Sequence, residues 1–239
     1  MSRRGKKYLD VAQKVERMQL YAPEEALKLV KEVSYANFDA SVELHLRMGL
    51  DPRRSDQQIR GVVRMPHGLG KSVRVLVFAT VEAEQAARDA GADYVISDDE
   101  GINKIMGGWT DFDVSIAVPQ MMPKVGRLGR VLGRRGLMPN PKTGTVVQAD
   151  DLAEAIQNAK AGRVEYRLDR TGNIHCAIGK VSFSVEQLMG NLSALMEAIR
   201  KARPAAAKGI YVRRAVLTPT MGPGIKLDPS QALSLEASA

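Results

Sequence analysis

The chain has 239 residues, of which 44% are hydrophobic and 26% are charged, a composition typical of globular proteins with a substantial core. A single cysteine, Cys176, excludes an internal disulfide, and no group of Cys and His has the spacing of a metal site. The apolar runs are far too short to span a bilayer, and the basic N-terminus is followed by no apolar signal segment. We therefore expect a cytoplasmic protein with no membrane partner, no metal and no cofactor.

The net charge of +8 at pH 7 is distributed unevenly along the chain. Residues 1–67 carry 13 cations and 9 anions, residues 68–158 carry 10 and 12, and residues 159–239 carry 12 and 6. A basic balance favours a polyanionic partner. Because both ends are basic and the middle is not, we predict that the two ends form one basic surface.

The first predicted elements are a helix over "PEEALKLVKEV" and a half-buried strand over "SVELHLRMGL". The helix begins with Pro23 at its first position, and the strand alternates apolar with polar side chains. We predict that "QIRGVVRM" pairs with this strand, to which it is joined through "DPRRSD".

The middle of the chain alternates strands and helices. Strands are predicted over "SVRVLVFAT", "ADYVIS" and "FDVSIAVP", and helices over "VEAEQAARDAG", "EGINKIMGGW", "MPKVGRLGRVLG" and "ADDLAEAIQNAKAG". Repeated strand–helix units of this kind predict a three-layer parallel α/β domain that is similar to a Rossmann domain.

Near the C-terminus, "RVEYRL" and "IHCAIGKVSF" flank the turn sequence "DRTGN" and are predicted to form a hairpin. A helix with Ser184 as its N-cap covers "SVEQLMGNLSALMEAIRKA", and "IYVRRAVLT" is a further alternating strand. We expect the tail "QALSLEASA" to be disordered or loosely docked.

Neither flank has enough elements for a core of its own. We therefore predict a split α+β domain, an antiparallel sheet with helices on one face, formed by residues 1–67 and 159–239. Residues 68–158 would form the inserted α/β domain. Two chain crossings between the domains predict a hinge.

No constellation of residues supports an enzyme. "MPHGLGKS" resembles a phosphate-binding loop, but Met65 stands at the first glycine position and a strand follows where a helix is required. No G-x-G-x-x-G is present, and His45, His67 and His175 are widely spaced along the chain in different contexts. An α/β enzyme with a nucleotide or small-molecule substrate remains the rival class.

A basic segment interrupts the otherwise acidic middle domain. Residues 120–145 carry six cations and no anion, whereas the rest of residues 68–158 carries 4 cations and 12 anions. Glycines between the arginines would let the backbone approach a phosphate chain, although a solvated loop is the alternative. The six cations are Lys124, Arg127, Arg130, Arg134, Arg135 and Lys142.

Two further features leave alternatives open. "TPTMGPG" ends a strand and is either an ordinary turn or a loop that presses its backbone and hydroxyls against sugars and bases. Phe38, between the first helix and the first strand, is either a core residue or an exposed stacking residue.

The run "GRRGLMPNPKTGTV" resembles the signature of the bacterial large-subunit ribosomal protein L-one family, G-P-R-G-L-M-P-N-P-K-x-G-T. Arg134 stands where the family usually has Pro, and Asn37 where many relatives have Lys. Other segments resemble the family in order and spacing: "FDASVELHLRMGLDPRRSDQQIRG", "MPHGLGKSVRV", "AGADYV", "TGNIHCAIGKVSF", "AAKGIYV" and "TPTMGPG".

The resemblance implies a structural protein of the large ribosomal subunit that binds the rRNA of the mobile stalk. It also implies a role in releasing deacylated tRNA from the exit site, contacts with other large-subunit components, and repression of its own operon mRNA. The free protein would be a monomer. By motif, the RNA-binding residues would be Phe38, Ser41, Glu43, Thr218, Thr220, Met221 and Gly222.

In this interpretation the basic segment supplies a secondary, largely electrostatic RNA contact, and the split domain supplies specificity. Non-specific DNA binding is a third alternative, and only a structure-selective RNA-binding protein is expected to keep its preference at raised salt.

Overall fold

The computed structural model describes residues 5–236, and the chain divides into two compact units. The split unit combines residues 1–70 with 164–239, and the inserted unit is Lys71–Arg163. These borders lie a few residues after those expected from the sequence, in part because the last helix of the inserted unit continues to Lys160. The predicted mixed fold class is confirmed, since one sheet is antiparallel and another is parallel.

The elements alternate between helices and strands along most of the chain. In order they are α1 (Lys6–Ala12), α2 (Pro23–Glu32), β1 (Ser41–Met48), β2 (Arg60–Arg64), β3 (Val75–Phe78), α3 (Val81–Asp89), β4 (Tyr94–Ile96), α4 (Asp99–Met106), β5 (Val114–Ala117), α5 (Met122–Val125), α6 (Gly129–Arg135), α7 (Leu152–Lys160), β6 (Arg163–Arg167), β7 (Asn173–Lys180), α8 (Val185–Lys201), β8 (Val212–Pro219), β9 (Ile225–Leu227) and α9 (Pro229–Ser234).

The split unit is organised around β1. This strand lies inside a four-stranded antiparallel sheet of order β7-β1-β8-β9, so both of its edges are paired. Its apolar side chains are buried as the alternation predicted, and helices α2 and α8 contact the sheet through the same core. The buried side chains of β1 are Val42, Leu44, Leu46 and Met48.

Two pairing predictions in this unit were wrong. Strand β2 does not pair with β1, and β6 does not form a hairpin with β7; instead β2 and β6 form a separate two-stranded sheet. Since β7 and β8 occupy both edges of β1, no edge is left for β2. Gly61 of β2 also fits β6, because a Cβ there would lie 2.4–2.9 Å from atoms of the Tyr166 side chain. A larger residue at Gly61 would collide with that ring.

Helix α8 begins and ends as its sequence predicts. Ser184 and Gln187 form a capping box at its N-terminus, and basic residues occupy its last turn. The predicted apolar stripe of Leu188, Leu192, Leu195 and Ile199 is fully buried. The helix therefore supplies one side of the core of the split unit.

The expectation of a disordered or loosely docked tail was wrong for its first part. Pro229–Ser234 forms α9, with the Asp228 side chain accepting a hydrogen bond from the Ser230 N–H at its N-terminus. Ala232 is fully buried, because α9 packs against α8 and β8. The final residues 237–239 of the tail lie outside the described part of the chain.

The inserted unit is a parallel sheet of order β4-β3-β5 with helices on both faces. All four residues of β3 are buried, and successive side chains enter opposite cores. Val75 and Val77 pack in the cluster that includes α3 and α7, whereas Leu76 and Phe78 pack in the cluster that includes α4, α5 and α6. The predicted three-layer arrangement follows from this alternation.

A buried amide fixes the segment that leaves β2. Asn191 of α8 is fully buried, and its side chain forms hydrogen bonds with three backbone groups. Its oxygen accepts from the His67 N–H at 3.1 Å, and its nitrogen donates to the Gly68 and Ile178 carbonyls at 2.9 and 2.7 Å. A polar side chain in this core position is satisfied at every atom, and it holds the connection against α8 and β7.

We expect Asn191→Ala to lower the free energy of unfolding by about 2–4 kcal/mol, because three backbone groups lose their partner in a buried site. Urea unfolding followed by circular dichroism measures the change. Asn103→Ala, at an exposed position of α4, is the matched control and should change stability by less than about 0.5 kcal/mol. Equal losses in both variants would contradict this role of Asn191.

Candidate RNA-binding surface

The start of β1 and the end of β8 form one corner of the sheet. Val42 lies opposite Pro219, and Glu43 lies opposite Thr218. Beyond the last pair, two hydrogen bonds join Ser41 and Thr220: the Thr220 N–H donates to the Ser41 carbonyl at 2.9 Å, and the Ser41 N–H donates to the Thr220 hydroxyl oxygen Oγ1 at 3.1 Å. Residues 179 positions apart in the chain are thus fixed side by side.

Met221 presents its side chain from a constrained turn. Its φ of 70° is the only positive φ of a non-glycine residue in the described part of the chain. The Tyr35 hydroxyl donates to the Met221 carbonyl at 2.9 Å, and a Cβ at Gly222 would lie 2.4 Å from the Pro219 ring. The turn therefore requires glycine at position 222, and it leaves the Met221 side chain 66% exposed.

Phe38 is not a core residue, because it is 58% exposed. The chain that directly follows Phe38 is anchored to Ser182 and Lys180. The Asp39 carboxylate accepts hydrogen bonds from the N–H and the hydroxyl of Ser182, at 3.0 and 2.8 Å. The Lys180 ammonium donates to Ser41 Oγ at 2.9 Å. A large aromatic ring in water on a fixed loop is typical of a contact surface.

The corner surface is the set of Phe38, Ser41, Glu43, Thr218, Thr220, Met221 and Gly222, which the sequence predicted as RNA-binding residues. These residues lie on β1, on β8 or in the loops that adjoin the paired ends of these strands. The surface combines an aromatic ring, a thioether, three hydroxyls and one carboxylate. Such groups can stack on an unpaired base and exchange hydrogen bonds with ribose hydroxyls.

Two histidines that are distant in the sequence meet on the outer face of this sheet. His45 and His175 are directly opposite in the β1–β7 register, and their Nδ1 atoms lie 2.7 Å apart. The pairing of β1 with β7 thus joins two histidines that are widely spaced along the chain. The sequence holds no signal for the contact, because it depends on the pairing of β1 with β7, which was not predicted.

The basic segment of the inserted unit is an irregular helix through α5, a 3₁₀ turn at Gly126–Leu128, and α6. Val125, Leu128 and Leu132 are buried. The arginines Arg127, Arg130 and Arg134 repeat with the same spacing and are exposed, so they form a stripe on the solvent side. These three have no ion-pair partner within residues 5–236.

Two other cations of the segment have partners. Lys124 Nζ lies 3.0 Å from the Asp99 carboxylate, and Arg135 donates to the Thr110 hydroxyl. The segment contains no anion of its own, but Asp99, from another part of the inserted unit, pairs with Lys124. The charge available to a polyanion lies in the arginine stripe and in the exposed Arg135 and Lys142, because the Thr110 hydroxyl does not neutralise Arg135.

The loop "GLMPNPKTGTV" is a rigid connection between α6 and the sheet. Gly136 and Gly144 both adopt left-handed conformations. Thr145 Oγ1 accepts from the Asn140 N–H at 2.7 Å, while the Thr145 carbonyl accepts from the Ala117 N–H at 2.9 Å. The loop thus continues the pairing at the end of β5 and fixes the position of Lys142.

Three glycines of the helical segment are not explained by packing. A Cβ at Gly126, Gly129 or Gly133 would meet no atom within 4 Å, and none of the three has a positive φ. Glycine inside a helix costs about 0.5–1 kcal/mol relative to alanine. Neither sterics nor backbone conformation within the chain therefore requires glycine at these three positions.

The comparison with known proteins identifies the family of the chain. Residues 30–223 match the model of the family described as "Ribosomal protein L1p/L10e family". The chain belongs to this family. It is 59% identical over 237 residues to the large ribosomal subunit protein uL1 of Chloroflexus aurantiacus, covering 99% of this chain and all of that one. The corresponding protein of Lactobacillus delbrueckii subsp. bulgaricus is 58% identical, with 96% and 98% covered.

Membership in the L1p/L10e family confirms that the protein is a ribosomal protein of the cytoplasm and not an enzyme. Cys176 is consistent with this, since burial raises the pKa of its thiol to about 12 and removes it as a nucleophile. Within residues 5–236 there is no group of side chains suited to a metal ion. No helix in the same range has the length and hydropathy to cross a bilayer.

We expect Met221→Gly to raise the free energy of unfolding by about 0.5–1 kcal/mol, because glycine adopts a positive φ without the steric cost that a side chain incurs. Thermal unfolding measures the change. Met106→Gly is the matched control, since Met106 is 55% exposed but lies in α4, where glycine should destabilise. A loss of stability in Met221→Gly would show that the turn is not strained.

Proposed function

We propose that the protein is a structural component of the large ribosomal subunit, in which the corner surface binds the rRNA of the mobile stalk. The observation that carries this proposal is the joint exposure of Phe38 and Met221 on either side of the locked Ser41–Thr220 contact. Neighbouring exposed apolar side chains mark a contact site, whereas single exposed ones are common on any protein surface. Family membership supports rRNA as that partner.

The chemistry of the corner surface suits folded RNA better than duplex DNA. Sequence-specific RNA recognition uses unpaired bases, which stack on aromatic side chains, and ribose 2′-hydroxyls, which both donate and accept hydrogen bonds. Phe38 offers a stacking face, while Glu43 and the hydroxyls of Ser41, Thr218 and Thr220 offer short, fixed partners for hydroxyl groups. The corner surface has no arginine or lysine that could bind base edges in a deep groove. Its specificity would therefore come from the shape of the RNA and from contacts with its sugars.

The arginine stripe of the inserted unit would make a secondary contact with the same RNA. Arg127, Arg130 and Arg134, with Lys142, lie on an otherwise acidic unit, so their field is local. The glycines between them would let phosphates approach the backbone N–H groups as well as the guanidinium groups. We assign this contact to affinity and not to specificity, because it depends on charge.

Two further roles accompany the stalk proposal. Bound to the stalk beside the tRNA exit site, the protein would move with the stalk, contact other large-subunit components and help to release deacylated tRNA. The same corner surface would bind a similar structure in the mRNA of its own operon and repress translation, since one surface that reads RNA shape binds any RNA with that shape. The free protein would be a monomer whose two units are joined by a hinge.

We expect Phe38→Ala and Met221→Ala each to weaken binding to a large-subunit rRNA stalk fragment by about 1–3 kcal/mol, the range measured for loss of a base–side-chain stack. Filter binding at two salt concentrations, with duplex DNA as competitor, measures the loss and the selectivity. Ile210→Ala is the matched control, because Ile210 is 73% exposed at the opposite end of the sheet. Unchanged affinity in both test variants would remove the corner surface as the RNA site.

The inserted unit gives a second expectation for the same RNA. Arg130→Gln should reduce the slope of log affinity against log salt by about 0.9, the loss of one phosphate contact. Gly133→Ala should stabilise α6 by about 0.5–1 kcal/mol and still weaken RNA binding, because its Cβ would separate the backbone from the phosphates. Filter binding over a salt series, together with thermal unfolding, tests both variants. Normal affinity in Gly133→Ala would exclude backbone contact there.

A further inference from the structure

Four side chains form a line of titratable groups beside the corner surface. Glu43 Oε2 lies 3.5 Å from His45 Nε2, and the Nδ1 atoms of His45 and His175 are 2.7 Å apart. At the far end, His175 Nε2 lies 3.6 Å from Asp169 Oδ2. The order is therefore carboxylate, imidazole, imidazole, carboxylate. One end of the line, Glu43, is a member of the corner surface.

The contacts of the two imidazole rings are all favourable for only one number of protons on their four nitrogens. A short Nδ1···Nδ1 contact needs one nitrogen to donate and the other to accept, so it holds one proton. Each Nε2 that faces a carboxylate favours a further proton. Three protons therefore satisfy all the contacts, which is one more than two neutral rings carry, and the pair then has a single positive charge.

A histidine pair with two protons, or with four, has one unfavourable contact. With two protons, one Nε2 lone pair faces a carboxylate. With four protons, two N–H groups point at each other across 2.7 Å. Burial, followed by the positive charge on His175, lowers the pKa of His45, so the pair takes up each added proton less readily than two exposed imidazoles would.

The surroundings keep the Asp169 carboxylate ionised. Burial opposes the charge on Asp169, but hydrogen bonds from Asn173 and Thr171 outweigh it and lower the Asp169 pKa to about 2. The charged groups on the same outer sheet face are Glu43 and Arg47 of β1, Lys180 of β7, Arg214 of β8 and Lys226 of β9. These four cations disfavour a second positive charge on the pair.

We propose that His45 and His175, sharing one proton, position the Glu43 carboxylate for an RNA ribose hydroxyl and give RNA affinity a maximum along the pH scale. This inference rests on the proposed role of the corner surface. As pH rises, the pair loses its third proton and its positive charge, and its attraction for the Glu43 carboxylate weakens. As pH falls and the pair takes up a fourth proton, the rings repel and separate.

A pH series of RNA affinity tests the proposal. Binding of the stalk fragment is measured from pH 5.5 to 8.5 at constant ionic strength. We expect the affinity of the native protein to pass through a maximum and to fall by about fivefold on each side. In His175→Gln, which keeps a hydrogen-bonding group but cannot share the proton, affinity should lie below the native maximum and vary by less than about twofold.

Two additional variants and one spectroscopic measurement complete the test. His67→Gln, which removes the third histidine, should keep the native profile, and His45→Gln should behave as His175→Gln does. Circular dichroism confirms that each variant is folded. In the free protein, ring ¹⁵N NMR should show one shared Nδ1 proton that is lost at low pH, and an Nε2 proton that is lost at high pH.

The outcomes separate this inference from the proposed function. If Phe38→Ala weakens binding but His175→Gln keeps the native profile, the corner surface binds RNA and the histidine pair does not position Glu43. Independent titration of two ordinary imidazoles in the NMR measurement overturns the inference in the same way. If Phe38→Ala leaves affinity unchanged, the RNA-binding surface is wrong, and the inference about Glu43 falls with it.

Discussion

The pairing of β1 on both of its edges is the contact on which the split unit depends. Neither flank of the chain can bury its apolar faces alone, and β1 joins them by pairing with β7 on one side and β8 on the other. Its buried side chains then complete the core between α2 and α8. The same pairing brings Glu43 opposite Thr218 and His45 opposite His175. Core, corner surface and histidine pair thus share one origin.

At the surfaces assigned to RNA, the chain gives up stability that other residues would supply. Met221 occupies a backbone conformation that suits glycine, whereas Gly126, Gly129 and Gly133 occupy conformations that suit alanine. Residues that are suboptimal for the fold in opposite ways are difficult to explain by folding alone. They are understandable if Met221 is needed for its side chain and the glycines for the lack of one.

Much of the fold follows from local patterns in the sequence. The alternation of β1, the capping box of α8 and the uninterrupted apolar run of β3 each reflect a physical requirement within a few residues. The predictions that were wrong concern which strands and side chains contact each other across the fold. Nothing in "QIRGVVRM" indicates that β2 pairs with β6, because the fit between Gly61 and Tyr166 exists only after the chain has folded. The same holds for His45 and His175, and for Lys124, whose neighbour Asp99 lies 25 positions earlier.

The corner residues came from a family motif, and local chemistry alone left Phe38 and "TPTMGPG" undecided.

The long separation in sequence between Ser41 and Thr220 has a consequence for synthesis on the ribosome. The inserted unit is one continuous stretch and can fold soon after it leaves the exit tunnel, since all its strands and helices are then available. The split unit must wait for β8, because β1 has no partner on that edge before residues 212–219 emerge. A nascent chain therefore lacks a complete corner surface until synthesis is almost finished. Premature release at any earlier codon yields a polypeptide without this surface, so capture of RNA through the corner would be reserved for finished molecules.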